Sequence, residues 1–303
     1  MPSNQSPLGA LPARFRRPRV LIVGCGDVGL RTARLLLPRV RVLALVRSGG
    51  DAAALRGLGI TPLAGDLDQA ASLQRLAGLA PRVLHLAPPP RGGADDPRTR
   101  ALLHALARRS APQALVYGST TGVYGDCAGA LVRETRPIRP QTLRAQARAA
   151  AEGWVRGFGR AVGTRASILR IPGIYAPDRA GGARERLGKG TPVLAPEDDV
   201  YSSHIHADDL ARACALALWR GRPQRVTHVA DDSRLKMGEY FDRAADLYGL
   251  PRPPRVTRAA AREALPPLML SFMSESRRID NTRLKRELRL RLRYPGPEIG
   301  LLS

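Results

Sequence analysis

Three glycines near the start of the chain have the spacing of a loop that binds phosphate groups. They are Gly24, Gly26 and Gly29 in the segment VLIVGCGDVGL, and they form the pattern G-x-G-x-x-G. The pattern follows an apolar run that predicts a strand and opens a segment that predicts a helix, as such a loop requires. Gly24 would allow the tight turn, Gly26 the approach of a pyrophosphate, and Gly29 the packing of helix on strand. The other loop residues expected to contact the dinucleotide are Cys25, Asp27 and Val28.

The end of the second predicted strand favours one dinucleotide over another. Its residues LALVRS place Arg47 and Ser48 where NAD-binding proteins usually carry Asp or Glu for the ribose hydroxyls. An arginine and a hydroxyl fit a 2′-phosphate better. The sequence therefore favours NADP(H) as cofactor over NAD, although Arg47 is also one arginine among many in this chain.

A row of charged side chains lies on a predicted helix over 142–160. Arg144, Arg148 and Glu152 follow one another at four-residue spacing, and Arg156 continues the row. At about 100° per residue, Arg144 lies at the border of the apolar face and Arg156 lies opposite that face. Arg144 is therefore a candidate for binding a phosphate or carboxylate of a substrate, because a guanidinium can form two parallel hydrogen bonds with such groups. A solvated row of surface ion pairs is an equally supported alternative.

These residues need a scaffold that brings distant segments together, and alternating β and α patterns supply it. The predicted strands lie at 19–24, 40–47, 60–67, 82–87, 114–119 and 166–171. Such repeats predict an α/β fold with a doubly wound, Rossmann-type parallel sheet. After Pro172 the pattern loosens, except for a helix over 208–221 that Asp208 would cap and a strand at 225–230.

The loosening pattern predicts a division of the chain into three parts. We expect a disordered leader over 1–18 and a dinucleotide-binding domain over 19–172. A smaller, discontinuous substrate-binding lobe would occupy 173–303, with 202–230 returning to the sheet.

Composition excludes several classes of protein. The net charge is +23, yet only three of the 49 basic residues are lysine, and the arginines are spread along the chain. Aromatic residues make up 4%, so we expect no specific nucleic-acid partner. Apolar runs are too short to span a membrane, and no secretory signal is present, which predicts a cytoplasmic protein. The spacing of three cysteines and five histidines predicts neither disulfides nor a metal site.

Four further segments occur in an order that resembles a known family. They are GDL (65–67), VYGSTTGVYGD (116–126), LRIPGIYAP (169–177) and HIHADDLA (204–211). Together with the glycine loop they resemble the extended short-chain dehydrogenase/reductases, including the NAD-dependent epimerase/dehydratase group, over about residues 19–230. The first strand departs from the usual T-G-x-x-G-x-x-G pattern of that family. The chain therefore resembles an atypical member.

The resemblance implies roles for residues at the strand ends. Asp66 and its neighbour Leu67 would contact the adenine end of the cofactor, and Thr120 stands where the family has a catalytic serine or threonine. The residues expected beside the nicotinamide ribose are Leu86, Ala87 and Pro88. Other groups near strand ends that could transfer a proton are Tyr124, Tyr175 and His85.

The resemblance also reveals a departure at the centre of the family's chemistry. The family carries Y-x-x-x-K on the helix after VYG, with a glutamate four residues beyond the lysine. Aligning that glutamate with Glu152 puts Arg148 in place of the lysine and Arg144 in place of the tyrosine. Arginine keeps its proton at ordinary pH and cannot act as a general acid or base.

Two functions remain open on these observations. The first is an NADP-dependent oxidoreductase or epimerase/dehydratase-like enzyme that acts on a small, anionic molecule and uses an unusual proton-transfer group. The second is a catalytically silent NADP-binding sensor or regulatory protein. The sequence leaves the oligomeric state open, with a homodimer as one option.

Overall fold

A computed structural model describes residues 17–47 and 52–303 of the chain. The strands are β1 Arg19–Val23, β2 Arg41–Val46, β3 Thr61–Ala64, β4 Arg82–His85, β5 Ala114–Thr120, β6 Leu131–Val132, β7 Arg165–Ile171, β8 Gly173–Tyr175, β9 Val193–Leu194, β10 His204–His206, β11 Arg225–His228, β12 Arg255–Val256 and β13 Arg278–Ile279. The α-helices are α1 Asp27–Leu36, α2 Ala52–Gly57, α3 Pro97–Ala107, α4 Leu143–Val162, α5 Ala183–Gly188, α6 Ala207–Arg220, α7 Met237–Tyr248, α8 Arg258–Ala264, α9 Pro267–Met273, α10 Thr282–Arg286 and α11 Pro297–Gly300. Two 3-10 helices span Ala70–Leu76 and Thr121–Tyr124.

Seven of the described strands form one parallel sheet in the order β11-β7-β5-β4-β1-β2-β3. The order reverses between β1 and β4, and in an open α/β sheet ligands bind at such a reversal, beyond the carboxyl ends of the strands. This topology confirms the predicted Rossmann-type sheet, in which β11 is the strand beside β7.

Alternation along each strand fills two cores, because successive side chains point to opposite faces. In β1, Val20 and Ile22 belong to the core under α1 and α6, whereas Leu21 and Val23 belong to the core under α3 and α4. All four side chains are fully buried. The central strands are thereby covered on both faces, and only their ends are free to form a site.

A smaller lobe has its own apolar core. Its buried side chains come from β8, β9, α5 and α7 and include Tyr175, Leu187, Val193 and Phe241. Leu284, Leu288 and Leu290 lie in the core under α1 and α6, whereas Leu301, which follows them, lies in the core of the smaller lobe. The expected lobe over 173–303 is thus interrupted a second time near its end.

The helix expected to start at Asp208 begins at Ala207, and the side chain of His206 rather than that of Asp208 caps it by accepting from Asp208 N. The expected leader lies outside the described residues up to position 16. Among the described residues, no helix combines the length and apolarity that crossing a membrane requires.

Candidate nucleotide and substrate site

The glycine loop joins β1 to α1 in a geometry that only small residues allow. Gly24 has φ of +90°, and a Cβ at this position would overlap the backbone of Ala87. The approach is that close because Leu86 N and Ala87 N both donate to the carbonyl of Val23, at 2.7 and 3.1 Å. A Cβ on Gly29 would lie 2.7 Å from the carbonyl oxygen of Gly24, so α1 also packs closely against the turn.

Gly26 differs from its two neighbours because nothing lies within 4 Å of where its Cβ would be. It is exposed and forms the N-cap of α1, with no side chain satisfying the first N–H groups of the helix. A bare backbone and free N–H groups at a helix N-terminus suit a pyrophosphate. The loop therefore fits the phosphates of a dinucleotide.

The acidic Asp27 in the first turn of α1 would repel phosphate, but two arginines pair with it. Arg31 Nε donates to Asp27 at 2.7 Å, and Arg179 from the loop after β8 also pairs with it. Arg31 further binds Asp178 and Asp208. The other two loop residues are partly buried: Val28 packs on the core, and burial raises the pKa of the Cys25 thiol to about 11.

Residues expected at the adenosine end lie around the ends of β2 and β3. Arg47 is exposed and directly follows β2, whereas Ser48 lies outside the described residues. Asp66 is held after β3 by two hydrogen bonds: its backbone N–H donates to Ser72 Oγ at 2.8 Å, and its carboxylate accepts from Asp68 N at 3.0 Å. Its neighbour Leu67 packs on the core.

The loop after β4 closes this side of the cleft. Leu86 is partly buried, Ala87 is buried and Pro88 is exposed. Arg98 links this loop to the end of β3, since it donates to Pro88 O at 3.4 Å and binds Asp68 through two nitrogens at 2.5 and 2.7 Å. The strand ends that the sequence analysis assigned to the cofactor therefore form one continuous rim.

A cavity of about 350 Å³ lies between this domain and the smaller lobe. Three of the residues singled out from the sequence line it: Thr120, Arg144 and Tyr175. Thr120 ends β5 and caps the following 3-10 helix, since its Oγ1 accepts from Gly122 N at 3.2 Å. Tyr175 is 4% exposed, and its buried hydroxyl has no hydrogen-bond partner among the described residues.

Tyr124 does not line the cavity. Arg170 Nη1 donates to its hydroxyl oxygen at 2.5 Å, and the hydroxyl donates to His228 Nε2 at 2.6 Å, whose Nδ1 donates to Asp280 O. Burial raises the pKa of Tyr124 to about 12, so this phenol stays protonated inside a closed network. Tyr124 therefore lies outside the cavity that Thr120 and Tyr175 line.

His85 is also remote from solvent, at 1% exposure. Its Nε2 donates to Thr99 Oγ1 at 2.8 Å, because that hydroxyl donates in turn to the buried carboxylate of Asp96 at 2.7 Å. Burial lowers the pKa of His85 to about 3. The imidazole therefore remains neutral and serves the packing of α3 on β4.

The two arginines of α4 have different surroundings. Arg148 Nη1 donates to Gly118 O at 2.7 Å and to Tyr117 Oη at 3.1 Å, so this side chain is held against β5. Arg144 lies one turn earlier, at the mouth of the cavity, with its guanidinium 5.0 Å from the ring centre of Phe272. No carboxylate of the described residues pairs with Arg144, which leaves its donors free for a ligand.

Sequence reasoning missed a second arginine in the cavity, Arg186 on α5. It stacks on Phe241 at 4.2 Å, and two of its nitrogens are buried without a partner among the described residues. The segment around it is rich in Gly, Pro and charge, and no local signal marked one arginine there above the others. Among the described residues there is also no cluster of His, Cys, Asp and Glu that could hold a metal ion.

Comparisons with known proteins agree with this architecture. A solved structure of a conserved protein of unknown function from Silicibacter pomeroyi is 33% identical, with a TM-score of 0.79, over 94% of this chain and 97% of that one. UDP-glucose 4-epimerase from Thermotoga maritima, solved with UDP-glucose, is 18% identical with a TM-score of 0.74 over 94% and 97% of the two chains. A dTDP-glucose 4,6-dehydratase from Streptomyces venezuelae, solved with NAD, is 22% identical with a TM-score of 0.74 over 94% and 96%. The last two likenesses show the fold alone.

Sequence comparisons add the family. No significant match is found among curated proteins. The model of the NAD dependent epimerase/dehydratase family matches residues 20–230, which include the glycine loop, the strand ends around the cleft and the start of α6. The chain belongs to the NAD dependent epimerase/dehydratase family.

Proposed function

We propose that the chain binds NADP(H) and catalyses an oxidoreduction or epimerisation of a small anionic substrate in the cavity beside it. One observation carries the nucleotide part: Gly26 presents bare backbone at the N-terminus of α1, at the point where the order of the sheet reverses. Arg47 supports NADP(H) over NAD, because it is the first residue after β2 and is exposed. Arg144 supports an anionic substrate, because it lies at the cavity without a carboxylate partner.

In this proposal each side chain has a limited task. A bound nicotinamide would supply or accept the hydride. Arg144 binds and orients the anionic group of the substrate, and it cannot exchange protons because guanidinium stays charged. Thr120 and Tyr175 are two of the hydroxyl-bearing residues that line the cavity. Burial raises the pKa of Tyr175 well above its usual range, so Tyr175 holds its proton until a substrate oxygen that gains charge takes it.

A silent NADP-binding sensor is the second candidate function. It is favoured by the hydrogen bonds that already occupy two groups of the candidate site. Arg148 is held on the backbone of β5, and the phenol of Tyr124 is enclosed between Arg170 and His228. Such a protein would bind NADP(H) but would convert no substrate.

The test of the proposal is nucleotide binding followed by a search for turnover. Calorimetry on the parent should show tighter binding of NADPH than of NADH. Gly26→Val should abolish binding of both nucleotides, because a side chain would occupy the place of the pyrophosphate. Gly153→Val is the matched control, since Gly153 on α4 also has nothing within 4 Å of its Cβ position but lies away from the loop.

The outcomes separate the candidate functions. Unchanged binding by Gly26→Val would reduce the loop to a simple turn and refute the nucleotide site. If binding behaves as expected, nucleotide sugars, keto acids and aldehydes are tested for NADPH oxidation and, with NADP⁺, for cofactor reduction or an epimerised product. Any of these changes supports the enzyme, and binding without any of them supports the sensor.

A further inference from the structure

The charges that line the cavity do not balance. Of the described residues around it, the charged ones are Arg144, Arg186, Glu275 and Arg277. Glu275 is already paired, because Arg277 Nη1 donates to its carboxylate at 2.6 Å. Two arginines therefore face one cavity without a carboxylate between them.

Arg186 is the deeper of the two. Its Nε and Nη2 are buried and have no hydrogen-bond partner among the described residues, and its guanidinium lies over the ring of Phe241 at 4.2 Å. Burial lowers the pKa of Arg186. The pKa of the neighbouring His204 is lowered to about 4, mainly by its own burial and in addition by the charge of Arg186. A buried cation without a counter-charge costs free energy, so the fold keeps Arg186 at the expense of stability.

Arg144 and Arg186 come from the two walls of the cavity. Arg144 lies on α4, which packs on the sheet, whereas Arg186 lies on α5 of the smaller lobe, which packs on α7. Each guanidinium is held by an aromatic face, Phe272 or Phe241, and keeps N–H groups free. Planar guanidinium groups suit carboxylates and phosphates, which accept two parallel hydrogen bonds.

We propose that the cavity binds a substrate with two anionic groups, one held by Arg144 at the mouth and the other by Arg186 on the lobe wall. This inference rests on the proposed function, in which the cavity is the substrate site. The shared chemistry of the two groups is an oxyanion, either carboxylate or phosphate. Arg186 is then a residue that determines specificity, and it selects dianions over substrates that carry one charge.

The first test needs no ligand. Arg186→Met keeps an unbranched side chain against Phe241 and removes the unpaired charge. Proteins commonly gain stability when a strained functional group is removed, so the melting temperature of the free variant should rise by about 2 °C or more. Arg184→Met is the matched control, because Arg184 lies on the same helix over the ring of Tyr248 at 4.5 Å but is exposed; it should give no rise.

The second test measures anion binding with the nucleotide site filled. NADPH-saturated protein is titrated with succinate, with inorganic pyrophosphate and with the uncharged succinamide, and the melting temperature is recorded. At least one dianion should stabilise the parent and the Arg184→Met variant, and succinamide should not. Arg186→Met and Arg144→Met should each lose at least tenfold in the affinity derived from these shifts. Tighter binding of succinate would identify the anionic groups as carboxylates, and tighter binding of pyrophosphate would identify them as phosphates.

The proposal requires both results. No rise in melting temperature for Arg186→Met, or a dianion response that survives this substitution, would overturn it, as would a parent that responds to neither dianion. Failure of the proposed nucleotide site is seen separately, as absence of NADPH binding to the parent. The first test does not depend on that binding.

Discussion

Arg47 is the residue on which the proposed preference for NADPH over NADH depends. It is exposed directly after β2, and its charge also acts on Asp68 of the neighbouring loop. Arg47→Asp should narrow or reverse the preference for NADPH over NADH, because a carboxylate repels the 2′-phosphate and accepts hydrogen bonds from free ribose hydroxyls. Calorimetry with both nucleotides measures the change.

A control separates this effect from a general change in charge. Arg56→Asp on α2 alters the same charge at another exposed position and should leave the preference intact. Equal affinities of the parent for NADPH and NADH would remove the basis of the prediction.

Arg144 is the residue that should bind substrate without binding cofactor. Arg144→Ala should weaken binding of the substrate or product analogue identified from the panel by about 1.5–3 kcal/mol, or roughly ten- to hundredfold, as expected for one charge-assisted hydrogen bond. The NADPH affinity should stay nearly unchanged. Binding assays with both ligands measure the two effects.

The control variant for the Arg144 prediction replaces another arginine of α4. The sequence places Arg156 opposite the apolar face of α4, but this residue is partly buried, whereas Arg160 is exposed on the same helix. Arg160→Ala is therefore the better control. Parent-like binding by both variants would favour the alternative in which the arginine row of α4 is a solvated surface.

At the scale of elements, a buried ion pair positions α4 against the sheet. Arg170 on β7 donates through Nε and Nη2 to the two carboxylate oxygens of Glu152, at 2.9 and 2.6 Å, and Ser119 Oγ on β5 donates to the same carboxylate at 2.7 Å. Both charged side chains are at most 4% exposed. This pair fixes the helix that carries Arg144 to the strands that carry Thr120.

Breaking that pair should be costly. Glu152→Gln leaves the guanidinium of Arg170 without a counter-charge and should lower the free energy of unfolding by about 3–5 kcal/mol. The double variant Glu152→Leu with Arg170→Leu should lose less than the single one, because no buried charge remains unpaired. Urea denaturation measures these differences.

An exposed ion pair provides the control for this prediction. Glu185 binds Lys189 on the surface at 2.6 Å, and Glu185→Gln should cause no measurable change in stability. A loss in Glu152→Gln no larger than in Glu185→Gln would show that the Glu152–Arg170 pair does not hold α4.

At the scale of the whole molecule, buried histidines make stability depend on pH. Burial lowers the pKa of His85 and His228 to about 3 and that of His204 to about 4. In the unfolded chain these imidazoles take up protons near pH 6.5. Between these pKa values the unfolded state binds more protons, so the free energy of unfolding should fall as the pH drops from about 6.5 to 4. Urea denaturation across this range measures the fall, and a constant free energy would contradict the buried, neutral state of these rings.

One carboxyl group acts in the opposite direction. Burial raises the pKa of Asp231 from 3.8 to about 7. The native state therefore holds a proton there that the unfolded state loses, and this contribution to stability is lost as the pH rises from about 4 to 7. Asp231→Asn should accordingly gain stability relative to the parent over that range, and a pH-independent difference would refute this assignment.

The amino-acid sequence by itself determined the layers of the fold and the position of the glycine loop. Alternating apolar runs and helical patterns can be read from short segments, and they predicted the parallel sheet. The loop could be recognised because Gly24, Gly26 and Gly29 lie within six consecutive residues, directly between a predicted strand and a predicted helix. The departure from the Y-x-x-x-K pattern of the family could also be found locally, because Arg144 and Arg148 were identified by counting back from Glu152.

Only the tertiary structure decided which of the singled-out side chains meet in one place. Tyr124 and Tyr175 looked alike from sequence, but contacts with Arg170 and His228, which are 46 and 104 positions from Tyr124, enclose its hydroxyl, whereas Tyr175 lines the cavity. Arg186 could be identified as a cavity residue only from the structure, because α5 and α4 lie on opposite walls of the cavity. Leu284 likewise joined the larger core, because burial depends on packing between distant segments that no local pattern records.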